Sequence, residues 1–177
     1  MKRTLITACL ICCIALAFGT YATRAQTTAP ASKLRVGVYD SRAVAVAYSA
    51  SSFHDAEMKA LQQQLKDAEA ARDTKKAEQV KARGKNMQTI AHLQAFSNAP
   101  VDNAIAKIGE SLPVVAAAAG VDVIVADIDF KSDRVETVDV TNLLVAQFKP
   151  NDRAQKNIEM IVKQKRIPMV DVVGIQD

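Results

Sequence analysis

Cysteine is confined to three positions near the amino terminus, Cys9, Cys12 and Cys13, and tryptophan is missing altogether. A chain processed beyond those positions has no disulfide, no thiolate nucleophile and no cysteine-bound metal. Aromatic residues make up 5% of the chain, too few ring faces for a platform that stacks sugars or bases. His54 and His92 are the two histidines, far apart and with no cysteine to join them, which argues against a histidine-based site. There is no glycine-rich phosphate loop and no Gly-x-Ser-x-Gly. Asp127, Asp129 and Asp133 form an acidic loop that could hold calcium, but it lacks the glycine and terminal glutamate of an EF-hand. No catalytic constellation, cofactor, metal site or nucleic-acid surface emerges, and the chain reads as non-enzymatic.

What is present begins with an address. Lys2 and Arg3 precede an apolar run over residues 5–18, followed by small and polar residues to Ala25. That order is a secretory signal peptide over residues 1–25, cleaved after Ala25 with Ala22 the less favoured alternative, and it places the protein in the periplasm. The run falls short of the roughly 20 residues of a spanning helix, although a retained anchor is the alternative. Removing Lys2, Arg3 and Arg24 leaves 20 basic against 19 acidic residues, so the working protein is near neutral. About 152 residues remain, one domain's worth.

Residues 53–119 are almost entirely helix formers, broken in the middle by Gly84. Taking Gly84 as a pivot gives arms of 31 and 35 residues, over 53–83 and 85–119. Each would reach roughly 45–50 Å, so a long antiparallel hairpin returns to its start. Arg72, Lys75, Lys76, Lys81, Arg83 and Lys85 crowd the expected tip against Asp73 and Glu78. Such a tip either keeps the arm solvated or attracts acidic clients and anionic lipid. Met58, Leu61, Leu65 and Ala68 form a seam at coiled-coil spacing, resumed by Val80, Met87, Ile90, Leu93 and Phe96. This stripe is either the contact between arms or, where unburied, a surface for a client.

Around the arms the pattern is that of a small body. Leu34, Val36 and Val38 alternate in a strand over 34–39, residues 121–126 read as a strand buried on both faces, and 138–140 as a short third strand. Gly120 is placed to stop a helix, and Pro100 and Pro113 to kink or restart one. Helices follow from Thr141 and from Asn151 or Asp152, and residues 167–175 read as an extended tail. The expected fold class is α+β, a small β-sheet body carrying a long helical hairpin. With few strands and no disulfide the body looks too small to stand alone, so oligomerisation through Val36, Val38, Val123 and Val125 is expected.

Lys-Leu-Arg-Val-Gly-Val-Tyr-Asp at 33–40, the hairpin, Gly-Val-Asp-Val-Ile-Val-Ala-Asp at 120–127 and Val-Asp-Val-Thr at 138–141 resemble the Skp/OmpH family of periplasmic chaperones. The resemblance covers roughly residues 34–148, so the Skp-like domain would span 26–149 and residues 150–177 would be an addition. It implies a homotrimer joined by its β-body, whose arms enclose unfolded outer-membrane proteins without ATP. Client-binding residues would then be Leu61, Leu65, Val80, Met87, Ile90 and Leu93 of the stripe with the six basic residues of the tip. A structural or adaptor protein of the envelope, using the hairpin as a partner-binding arm, is the alternative.

Overall fold

The structure is a computed structural model that describes residues 33–174, with side chains to residue 172. The expected leader, its cleavage point and the three cysteines lie outside the described residues. β1 (Leu34–Val38) is the centre of a three-stranded sheet of order β2-β1-β3. Both neighbours run parallel to it: β2 (Val123–Val125) sets Val123 beside Val36 and Val125 beside Val38, and β3 (Val135–Asp139) sets Val135 beside Leu34. Parallel pairs need crossovers, which is why helices separate β1 from β2 and the segment 126–134 carries the chain to the far side of β1.

Both outer strands differ from their sequence reading. β2 is three residues long rather than six, and Val123 is 44% exposed, because an edge strand has a neighbour on one side and helices over one face. β3 starts at Val135 rather than 138, and Val140 leaves the strand to begin the next helix, fully buried. Ile124 and Val138, in register with Gly37, pack against the helices. The period of two then puts Val36, Val38, Val123 and Val125 together on the opposite face.

α1 (Ser41–Ser49) starts at Asp40, whose side chain accepts the Arg42 backbone N–H at 3.0 Å. Its sequence is apolar nearly all round, so it is buried nearly all round, with Ala43, Val44 and Ala47 sealed from solvent. α2 (Ser52–Ala70) is capped by Ser51 and α3 (Thr74–Phe96) by Asp73. Then come α4 (Asp102–Lys107), one 3-10 turn at Gly109–Ser111, and α5 (Leu112–Ala119), which has Pro113 in its first turn and ends on Gly120 at φ 61°. α6 (Thr141–Gln147), α7 (Asp152–Lys163) and α8 (Met169–Gly174) follow, to the end of the described residues. The core gathers α1 with Val101, Ile108, Val115, Leu144, Phe148 and Ile158, drawn from both sides of the sheet strands in sequence.

The helix pair is shorter than the sequence arms, and its turn is elsewhere. Residues 71–73 make the turn, with Arg72 in the left-handed region at φ 56°. Gly84 lies inside α3, with no positive φ, where an added side-chain carbon would sit 3.4 Å from Leu61. It serves close helix packing, not chain reversal. The return helix stops at Phe96 instead of running to 119, so the 19 residues of α2 and 23 of α3 reach about 28 and 34 Å.

The C-terminal segment is part of the core. α7 buries Ala154, Ile158 and Ile161, and Ile158 joins the α1 cluster. Arg42, 4% exposed, forks onto Asp40 at 2.7 and 3.1 Å and donates to Gln164 O at 2.8 Å, holding the C-terminal end of α7. The expected extended tail includes a helix, α8, which buries Val172, and Ile167 N–H donates to Phe96 O at 2.9 Å. None of the helices among the described residues is long and apolar enough to cross a membrane.

Candidate functional site

The helix pair carries every candidate client residue, and the structure divides them. Leu61 and Val80 are buried at 8% exposure with Ala68 and Ala77, so this part of the stripe is the contact between α2 and α3. Leu65, Met87 and Leu93 are half-buried, while Ile90 keeps 49% of its surface exposed. Every basic candidate is exposed. Arg72, Lys75 and Lys76 stand at the turn, but Lys81, Arg83 and Lys85 lie down the length of α3, because the turn precedes them. The expected basic tip is therefore a basic band spread along and around one helix, with Lys81 and Lys85 nearly opposite Arg83 at about 100° per residue. Lys81 is within 3.7 Å of Glu69 and 3.9 Å of Glu78. Asp73 spends its carboxylate on the Lys76 backbone N–H at 3.0 Å. Among the described residues Arg83 has no carboxylate partner.

Where the pair meets the body it encloses a cavity of about 430 Å³, lined by faces of α1, α2, α3 and α4. Four of the sequence candidates, Leu61, Arg83, Met87 and Ile90, line it together with Ala45, Ala60 and Ala91. Its inner end is polar. Tyr48 donates to Glu57, and Lys107 Nζ lies 2.7 Å from the same carboxylate, tying α1, α2 and α4 into one knot. The Lys107 and then the Tyr48 hydrogen bond hold the Glu57 carboxyl below its usual range. Burial, with the Glu57 bond and charge, pushes the Tyr48 phenol up. Gln94, 4% exposed, donates to Pro100 O and Asn103 Oδ1, both at 2.7 Å, and so pins the last turns of α3 to the loop before α4.

Moving the turn from Gly84 to residues 71–73 changes the neighbours of the histidines. His54 shares the cavity with Ala91 and Gln94. Its ring packs edge-on against Tyr48 at 5.5 Å, and the His92 ring against Phe96 at 6.1 Å. Tyr48, Glu57, Lys107, Gln94 and Asn103 were not among the sequence candidates, and nothing local marks them, since their partners lie in other helices.

A second hollow, about 730 Å³, opens beyond the C-terminal ends of the strands and is lined by Asp40, Asp127, Asp129, Asp139, Lys131 and Arg166 among others. Arg166 Nη1 lies 3.0 and 3.2 Å from the two carboxylate oxygens of Asp127, and Nη2 lies 3.8 Å from Asp40. Asp127 thus holds a guanidinium from the C-terminal segment. Burial alone would raise the Asp40 carboxyl; the Arg42 hydrogen bonds and charge, with Arg166, outweigh it and hold the group below its usual range. Of the four residues expected at an assembly interface, Val36 is buried, Val38 and Val125 are half-buried and Val123 is 44% exposed. No family model, curated protein or solved structure matches the chain.

Proposed function

We propose that the protein is an ATP-independent periplasmic holdase that captures unfolded outer-membrane proteins on its helix pair. One observation supports this above the rest. Arg83, one of the exposed basic residues of α3, lines a cavity at the fork of the pair beside Leu61, Met87 and Ile90, so a cation and apolar surface lie side by side. The band speeds encounter with acidic segments, and the cavity with Ile90 and Met87 supplies the apolar contact. Stripe residues spent between the helices, Leu61 and Val80, brace the pair, and Leu65 and Leu93 contribute their exposed edges.

Assembly belongs to the same reading. A homotrimer formed through the open sheet face around Val36, Val38, Val123 and Val125 would set several helix pairs around one client. The basic band would also bring the pair to anionic lipid, where unfolded outer-membrane proteins are delivered. The test is suppression of aggregation of an unfolded outer-membrane β-barrel protein, followed by light scattering at low and high salt. Suppression is expected, weaker as salt shortens the Debye length from about 10 Å at 0.1 M to about 3 Å at 1 M. Reversing Lys75, Lys76, Lys81 and Arg83 to glutamate should abolish capture with the helical circular dichroism unchanged. A folded protein that leaves aggregation untouched at any salt overturns the reading in favour of an envelope adaptor.

A further inference from the structure

Near Gly84 the two long helices touch; toward the body they part, because α1 packs against both of them. Ala45, Ala60 and Ala91 have side chains too small to close the gap, which leaves the 430 Å³ cavity. From Arg83 to Gln94 along α3 the opening extends about 16 Å by helical rise. That is a slot rather than a dimple, and its volume falls in the roughly 300–1,000 Å³ range of small-molecule sites.

Its charge is one-sided. Glu57, the one carboxylate among the described residues lining the slot, is already neutralised by Lys107 and hydrogen-bonded by Tyr48. Arg83, at the end nearer the turn, has no carboxylate partner among the described residues. A cationic guest would be repelled there, and a neutral one would cover the guanidinium without pairing it. A carboxylate can take both of its parallel N–H groups. Beyond Arg83 the walls are Leu61, Met87 and Ile90, with the three alanines giving the width.

We propose that the slot is a binding site for a single-chain anionic amphiphile, a medium-chain carboxylate with its head on Arg83 and its tail between α2 and α3 along Leu61, Met87, Ile90 and Ala91. The site shares Arg83, Met87 and Ile90 with the client surface above but stands without the holdase reading, because a small molecule alone reports it.

The test is titration calorimetry of the full chain with dodecanoate below its micelle concentration, against dodecanol and dodecyltrimethylammonium. One dodecanoate per chain is expected, with much weaker binding of the alcohol and none of the cation. Each tail methylene should tighten binding about fourfold, so decanoate should bind about fifteenfold more weakly. Arg83→Gln, on an exposed position that leaves folding intact, should weaken dodecanoate at least about tenfold. Ala91→Leu should block the tail, with the thermal melt reporting whether the chain is folded. Equal binding of dodecanoate and the ammonium, or indifference to Arg83→Gln, overturns the proposal. Vesicles of phosphatidylglycerol separate the two sources of an anionic head. Capture by vesicles without saturable dodecanoate binding overturns it too, and assigns the anion preference to the basic band. Aggregation suppression is scored separately, so either result can fail alone.

Discussion

Gly37 sits where an added methyl group would meet Val140 at 3.0 Å and Val121 at 3.2 Å. Both valines are buried on the helix side of the sheet, with Val140 at 0% exposure, so neither can step aside without opening the core. Gly37→Ala should destabilise the protein by about 1–3 kcal/mol in a urea titration, the range for overpacking a tight core. Arg72 presents the opposite case. It holds φ 56° at the turn between α2 and α3, a conformation that costs a side chain about 1–2 kcal/mol. Arg72→Gly should therefore raise stability by about 1 kcal/mol, less the greater freedom of glycine in the unfolded chain. A melting temperature lowered by the substitution would mean that the turn is not formed as described.

At the scale of elements, the helix pair is joined to the body by the knot of Tyr48, Glu57 and Lys107 and by Gln94. Glu57 and Asp40 both titrate below their usual range when folded. Their folded pKa lies under the unfolded value, so their contribution is complete above about pH 5 and disappears as pH falls through the folded value. The melting temperature should fall below about pH 5, and Glu57→Gln should flatten part of that fall while lowering stability at neutral pH by about 1 kcal/mol. A pH profile identical in Glu57→Gln and the parent would remove Glu57 from the account. The turn at 71–73 also decides how the pair can be shortened. Deleting residues 64–70 together with 74–80 removes matched turns beyond the knot and should leave a soluble body of unchanged oligomeric state by light scattering. Cutting around Gly84 would instead remove Met87 and Gln94 at the base and disrupt the attachment.

For the whole molecule, residues 151–172 are structural. Arg42 and Gln164, 122 residues apart, are joined at 2.8 Å, and Ile158 closes the core over α1. Truncation after Pro150 should give insoluble or molten protein rather than a trimmed domain, as judged by loss of the cooperative melt. A sharp melt in the truncated chain would make α7 an appendage after all. The open sheet face is where assembly would be lost. Val123→Glu, at a position already 44% exposed, should leave the fold intact and shift light scattering from oligomer to monomer at tens of micromolar. A monomeric parent would remove the trimer from the proposal.

What the chain settles residue by residue is local. The alternation of Leu34, Val36 and Val38, the cap at Asn151, the helix-rich stretch after Ser52 and the stop at Gly120 act within a few residues, and each is readable in the sequence. The mixture of helices with a small sheet follows from those signals. The turn was misplaced because Gly84 is the stronger breaker in isolation, whereas Asp73 and Thr74 offer a helix cap. The choice between them rests on packing that sets Gly84 against Leu61 and buries Ala68 and Ala77. The body strands are legible to within a few residues, but their parallel order is not. Strand order depends on the crossovers between parallel strands, and those are fixed by helix packing remote in sequence. The candidate site divides in the same way. Exposed basic side chains could be named from composition, while the cavity, the Glu57 knot and the unpaired state of Arg83 exist only once separate helices meet. Tertiary structure decided those, because burial and ion pairing depend on neighbours in space that sequence spacing does not record.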